Sequence, residues 1–403
     1  MHVCVLGAGI VGLATAYSLR RAGHEVTVID RAGPGSGASG GNGAQLSYSY
    51  VQPLADPGIW KQLPKLLLSP SSPLKLRPQL DLHQWLWGAR FLAACNAGTS
   101  RSTTVQLLQL AAESRHAFDT MMAEETLDCD YSTTGKLVLY ADAASFAGAR
   151  QQMLLQRELG SKQEAVNADR CVEIEPALAS RHAQISGAIY TPSECAADCL
   201  KTCNALMAVL RRQGVKFLLD TPIEQLRLRS NSVAAVATPQ GNIEADQYVL
   251  ALGAASAPMA RTLGVPLPIY PLKGYSITVE VDETAQTAPT VSVTDSSRKV
   301  VFARIGSRLR VAGMAELSGY DSTIEPAQIA SLKASTQTLF PGCSAFADLS
   351  PWAGMRPATP NGLPVIGRHA KGPGNLLFNT GHGALGFTLA FGSAQRISGL
   401  LAH

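Results

Sequence analysis

Apolar and polar positions alternate between two periods along this chain. Residues 2–6 (HVCVL) are apolar and β-branched with no charge, the pattern of a short strand buried on both faces. Residues 11–21 carry apolar side chains at helical spacing and end at Gly23; residues 25–29 (EVTVI) form a second strand, closed by Asp30. Further on, 103–124 and 143–160 read as helices, and 135–140 (GKLVLY) alternates as a half-buried strand. A helix over 197–213 leads to short strands at 215–218 and 247–252, the latter closed by Gly253. Strands recur at 274–281, 299–304 and 308–313 as an antiparallel set, and 376–379 is a last strand ahead of a helix ending near residue 401. This order predicts an α/β chain: a Rossmann-like nucleotide-binding domain joined to a second, α+β domain whose sheet is mainly antiparallel.

Composition narrows the function. A chain of 403 residues, 46% hydrophobic and 16% charged, has a large core to bury and is not disordered. The net charge of +4 is mild, and its Lys and Arg residues are scattered without interleaved aromatics, so nucleic acid is not an expected partner. Eight cysteines show no framework. Cys195, Cys199 and Cys203, spaced four apart, would share one helix face, but no fourth ligand or nearby His accompanies them, so no metal is expected. Unpatterned thiols point to a reducing, cytoplasmic location. The N-terminus reads as structure, not as a signal peptide, and no apolar run of about eighteen residues spans a bilayer. Residues 54–95 are rich in Leu, Pro and Trp; Trp60, Lys61, Lys65 and 66–68 give an apolar surface with basic flanks. Two readings stand open there: peripheral contact with the inner face of the cytoplasmic membrane, or a lid packed on the second domain.

The first chemistry lies in G-A-G-I-V-G. Gly7 permits a tight turn, Gly9 lets backbone approach a pyrophosphate, and Gly12 lets the helix pack closely on the strand. Ile10 and Val11 begin the helix whose N–H groups meet the phosphates. Asp30, with Arg31 after it, stands where an acid accepts from adenosine ribose hydroxyls and disfavours a 2′-phosphate. A motif placed at the very start suits FAD, contacted again far downstream. The glycine-rich stretch 33–47 reads as a backbone cradle along the cofactor, with Ser39, Asn42, Gly43, Ala44, Gln45 and Leu46 as contacts.

The second chemistry lies near the other end. Arg356 sits between Gly354 and Pro357 in a rigid frame, suited to bidentate capture of a carboxylate, although from the arginine alone a structural ion pair is the commoner case. After the 376–379 strand comes T-G-H-G-A-L-G-F-T, a glycine turn opening a helix. The N–H groups of such a turn would stabilise negative charge on a reduced flavin. His382 in this turn is read either as a catalytic base or as a backbone contact in the flavin cradle. No His or Cys stands in an attachment motif, so the FAD is expected to be non-covalent.

With these residues in hand, the chain resembles the D-amino acid oxidase superfamily of flavoproteins, and within it the small-subunit type of bacterial D-amino acid dehydrogenase. The matching segments are G-A-G-I-V-G with A-G-H-E-V-T-V-I-D, Gln45, Ser47 and Tyr50, Y-P-L-K-G-Y-S at 270–276, G-M-A-E at 313–316, W-A-G-M-R-P-A-T-P-N-G at 352–362, and N-T-G-H-G at 379–383. The resemblance implies that Arg356 binds the substrate α-carboxylate and that Tyr275 and Tyr50 line the substrate pocket. It implies that Gly381, His382, Gly383, Leu385, Gly386, Phe387 and Thr388 meet the flavin's pyrimidine end, and that Ile223 and Gly253 meet the cofactor through their backbone. Ala44 departs from the pattern, standing where similar proteins often carry Gly.

The domains implied are 1–85, 196–262 and 350–403 for FAD, and 86–195 and 263–349 for substrate. The activity implied is oxidative deamination of a D-amino acid to a 2-oxo acid and ammonia, with electrons passed to a quinone or another carrier. An O2-using oxidase, a D-proline, D-hydroxyproline or other secondary-amine dehydrogenase, and a non-catalytic flavin-binding subunit remain the alternatives.

Overall fold

In the computed structural model, which describes residues 1–60, 74–158, 160–284 and 286–402, the strand His2–Leu6 lies inside a six-stranded sheet. Glu25–Ile29 and Gln247–Leu250 flank it in parallel. The sheet continues to Lys216–Leu218 on one side and to Leu376–Thr380 and Val365–Gly367 on the other, this last pair being antiparallel. A central parallel strand needs apolar side chains on both faces. Val3 and Val5 enter one core, Cys4 and Leu6 the other. The first core lies under helices Ile10–Arg21, Cys199–Arg212 and Gly386–Gly399. The second lies under the three-stranded ribbon of residues 225–243 and the short helix Ser256–Arg261.

The second sheet runs Ser350–Ala358, Tyr270–Glu280, Arg308–Leu317, Val300–Ile305, Ser292–Asp295, Lys136–Tyr140, Gly187–Thr191 and Glu164–Val166, with Leu74–Leu76 beside Arg308–Leu317. Its pairings are antiparallel except Ser292–Asp295 with Lys136–Tyr140 and Leu74–Leu76 with Arg308–Leu317. This is the mainly antiparallel sheet that the alternating pattern predicts. Strand alternation divides its side chains cleanly. Leu137, Leu139, Ile277, Val279, Phe302 and Val311 pack with Leu332 and Leu339 of helix Pro326–Leu339. The opposite face meets the glycine-rich stretch: Ser276 Oγ donates to Gly41 O at 2.7 Å and Arg310 Nη1 to Asn42 O at 2.8 Å.

Several expected boundaries move. Ser350–Ala358 and Leu74–Leu76 belong to the second sheet by their hydrogen bonding, although the resemblance implies 350–403 and 1–85 for the nucleotide unit. Helix Ala97–Glu124 packs on Gly386–Gly399, on the nucleotide side. Cys195 sits in the short strand Cys195–Ala196, paired with Gln45–Leu46. The helix starts only at Cys199, where the Asp198 carboxylate accepts from the N–H groups of Leu200 and Lys201. The three thiols therefore do not share one helix face. Lys61, Lys65 and 66–68 lie outside the described residues.

Candidate active site

A cavity of about 2080 Å³ lies between the two sheets. That is roughly twice the upper end of the range for one drug-sized ligand, about 300–1,000 Å³. One end is built by the first βα turn, where Gly7, Gly9, Ile10, Val11, Asp30 and Arg31 line it. Gly7 has φ +114°, and a Cβ added at Gly12 would stand 1.9 Å from Gly7 O. Gly12 thus serves helix–strand contact and does not line the cavity. Gly9 caps helix Ile10–Arg21 without a side chain, which leaves first-turn N–H groups for a ligand. Ile10 N–H is already engaged, donating to Ser39 Oγ at 3.1 Å. The Asp30 carboxylate accepts from Ala8 and Ala32 N–H at 2.7 and 3.1 Å. Those are two of its roughly four acceptor sites, so capacity remains for hydroxyl donors.

Asn42, Gly43, Ala44 and Gln45 continue the wall, and Ile223 and Gly253 also border the cavity. Leu46 does not. Its strand alternates, so Gln45 borders the cavity while Leu46 is fully buried in the core under the helices. Ala44 adopts φ +58°, a conformation easier for glycine. Gly381, His382, Gly383, Leu385, Gly386, Phe387 and Thr388 all line the cavity at the start of helix Gly386–Gly399. Thr388 Oγ1 accepts from Ser47 N–H at 3.2 Å, tying two walls of the cavity together. The His382 ring is buried, with Nε2 3.1 Å from Ser393 Oγ, and burial pushes its pKa down to about 3. So low a proton affinity makes the ring a weak base, in keeping with the contact role.

Arg356 lines the cavity from the edge strand of the second sheet. Its Nη1 donates to Met314 O at 2.7 Å, and it has no ion-pair partner among the described residues. Burial pushes its guanidinium down to about 10, still charged at neutral pH. Tyr50 also lines the cavity. Tyr275 is placed differently from expectation. It borders the cavity, but strand register puts its side chain on the face opposite Arg356, and its hydroxyl donates to Glu316 Oε2 at 2.6 Å. Lys273, likewise on that face, donates to Asp321 Oδ2 and Thr323 O.

Sequence reading missed Lys136. Its Nζ donates to Ser47 Oγ at 2.8 Å and stands 4.5 Å from the centroid of the Tyr50 ring, in the cavity wall. Burial pushes its pKa down to about 8. The signal was available: in GKLVLY, Lys136 is in phase with Tyr140 on the cavity face and out of phase with the core residues Leu137 and Leu139.

These residues fit an extended dinucleotide. A side-chain-free phosphate turn, an acid with spare acceptor capacity and a second helix N-terminus follow one another along a cavity large enough for cofactor and substrate together. The sequence profile of the FAD dependent oxidoreductase family matches residues 2–400. The chain is 46% identical to D-amino acid dehydrogenase 2 of Ralstonia nicotianae, over all of this chain and 97% of that one. It is 43% identical to D-amino acid dehydrogenase 2 of Pseudomonas aeruginosa, over 98% and 94%. Its fold is similar to that of glycine oxidase from Bacillus cereus, at TM-score 0.76 and 21% identity, covering 99% of this chain and 94% of that one.

Proposed function

Since the chain belongs to the FAD-dependent oxidoreductase family, we infer that it is a flavoenzyme that dehydrogenates D-amino acids to 2-oxo acids and ammonia, with FAD as its cofactor. The observation that carries the substrate class is Arg356. A guanidinium with most of its donors unused, in the wall of a cofactor cavity, calls for an anion, and a carboxylate matches its fork. The six-stranded unit is assigned to FAD, held non-covalently, and the nine-stranded unit to the amino acid.

When bound, the flavin supplies a hydride acceptor at N5. Arg356 holds the α-carboxylate and so restricts how Cα is presented. The substrate's own neutral amine stabilises the charge left on Cα, and water hydrolyses the resulting imine. Positioning then carries most of the rate, and no strong side-chain base is needed. The neutral, Ser393-bonded His382 accords with that. Tyr50 borders the substrate. Replacing Arg356 with Leu should raise KM for a D-amino acid by a hundredfold or so while the protein stays yellow, the scale of a lost charge-assisted pair. An unchanged KM would remove the carboxylate reading. Anaerobic bleaching of the flavin by a panel of D- and L-amino acids tests the activity itself.

For the acceptor, a membrane quinone is favoured by the surface. Half of the exposed large apolar side chains among the described residues fall between 54 and 86, including Trp60, Leu80, Leu82, Trp85 and Leu86. Helix Leu82–Ala94 is apolar on two sides. Trp87 and Phe91 pack on Tyr270, Leu272 and Ala358, while Leu82, Trp85 and Leu86 face outward. No helix among the described residues is long and apolar enough to cross a membrane. This combination suits peripheral attachment to the inner face of the cytoplasmic membrane.

A further inference from the structure

The guanidinium of Arg356 occupies a space that two neighbouring backbones create. Strands Tyr270–Glu280 and Ser350–Ala358 pair so that Leu272 faces Arg356 and Gly274 faces Gly354. Arg356 and Gly274 are therefore diagonal neighbours on one face. The guanidinium lies over Gly274 so closely that a Cβ there would stand 2.3 Å from Cζ and from Nη2, and 2.7 Å from Nη1.

On the other side of Gly274 the pairing slips. Lys273 faces Glu316 while Tyr275 faces Gly313, so Gly274 alone is opposed by both Met314 and Ala315. Two residues against one make a β-bulge. Met314 is its left-handed residue, at φ +57°, a conformation that a side chain seldom adopts. The Met314 carbonyl is the group that accepts from Arg356 Nη1. One backbone thus forms a floor for the guanidinium plane and the other fixes one corner of it. Nε and Nη2 are left without a protein partner among the described residues.

We propose that Gly274 and the Met314 bulge are positioning residues for substrate binding, which hold Arg356 so that its Nε–Nη2 edge meets the substrate carboxylate as a two-pronged donor. The inference rests on the carboxylate-binding role of Arg356. Any side chain at position 274 must lift or tilt the guanidinium. The charge then remains in the cavity while the paired geometry is lost.

The test uses the FAD-loaded enzyme and its Gly274→Ala variant. Two quantities are measured: KM and kcat for a D-amino acid, and the dissociation constant of propanoate, an amine-free carboxylate, from its effect on flavin absorbance. Gly274→Ala should raise both KM and the propanoate constant by roughly tenfold to a hundredfold, the scale of one charge-assisted hydrogen bond. FAD content should hold, while kcat falls as well, because the lost paired geometry also loosens how Cα is presented.

The same change in an Arg356→Lys background should have under about a twofold effect, because an ammonium does not occupy the floor over residue 274. A Gly274→Ala effect of equal size in both backgrounds would mean general damage to the sheet and would overturn the proposal, as would unchanged propanoate binding. If Arg356→Leu itself leaves propanoate binding intact, the carboxylate role of Arg356 fails first. If Arg356→Leu weakens it and Gly274→Ala does not, only the positioning role fails.

Discussion

Lys136 carries an ammonium group into a wall where it meets a hydroxyl and an aromatic face, with no ion-pair partner among the described residues. Glu194 is near enough to raise its pKa slightly, yet burial dominates and brings it from 10.5 to about 8. Glu194 is itself pushed up by burial, although Lys136 opposes that rise, and burial raises the nearby Tyr50 and Tyr140 hydroxyls too. Below about pH 8 the lysine is protonated in folded and unfolded chains alike, and its desolvation penalty stands in full. Between about 8 and 10.5 the unfolded chain binds more protons, so this group's contribution to stability rises with pH. Denaturant midpoints of the wild type and Lys136→Met should therefore converge as pH rises through that window; a constant gap would show that Lys136 does not titrate as described. At this scale the sequence conveys residue types well and partners poorly. Arg356 and the first glycines were legible because their chemistry is local. The Glu316 bond of Tyr275 and the core placement of Leu46 were not, since each follows from which sheet face a strand turns inward.

Elements were legible wherever the apolar period was long. The strands at 2–6, 25–29 and 376–379 and the helix after Gly9 stand within a residue or two of the pattern, because both-face burial admits few other arrangements. The bulge at Met314 had no signal in the pattern: an extra residue in a strand leaves composition unchanged and shows only in how a partner strand pairs. The first βα turn makes the firmest element-level prediction. A side chain at Gly12 meets Gly7 O, and the helix must then leave the strand whose turn lines the cavity. Gly12→Val should yield a folded but colourless protein, scored by flavin absorbance per mole of protein. A fully yellow Gly12→Val would show that this contact does not govern cofactor binding.

At the scale of the whole molecule, the order of the two sheets was legible and the allocation of segments between them was not. Ser350–Ala358 lies close in sequence to the strand Leu376–Thr380 yet bonds to the other sheet, so Arg356 reaches the cavity from that sheet. The exposed apolar segment is also a whole-molecule property. Leu82→Glu with Trp85→Glu should reduce sedimentation with vesicles of phosphatidylglycerol and phosphatidylethanolamine several-fold, leaving dye reduction by D-amino acids in solution intact. Equal sedimentation would leave the lid reading of 54–95 in its place.

The central strand His2–Leu6 has as its neighbours Glu25–Ile29 and Gln247–Leu250, and the latter is bounded in turn by Leu376–Thr380. On a ribosome adding about 5–20 residues per second, that first strand waits roughly ten seconds or more for one neighbour and longer for the sheet to close. The turn at Gly7 and Gly9 therefore emerges early but gains the rest of its cavity late. Cofactor loading is therefore expected only after the Leu376–Thr380 strand has been made, long after the turn itself has emerged.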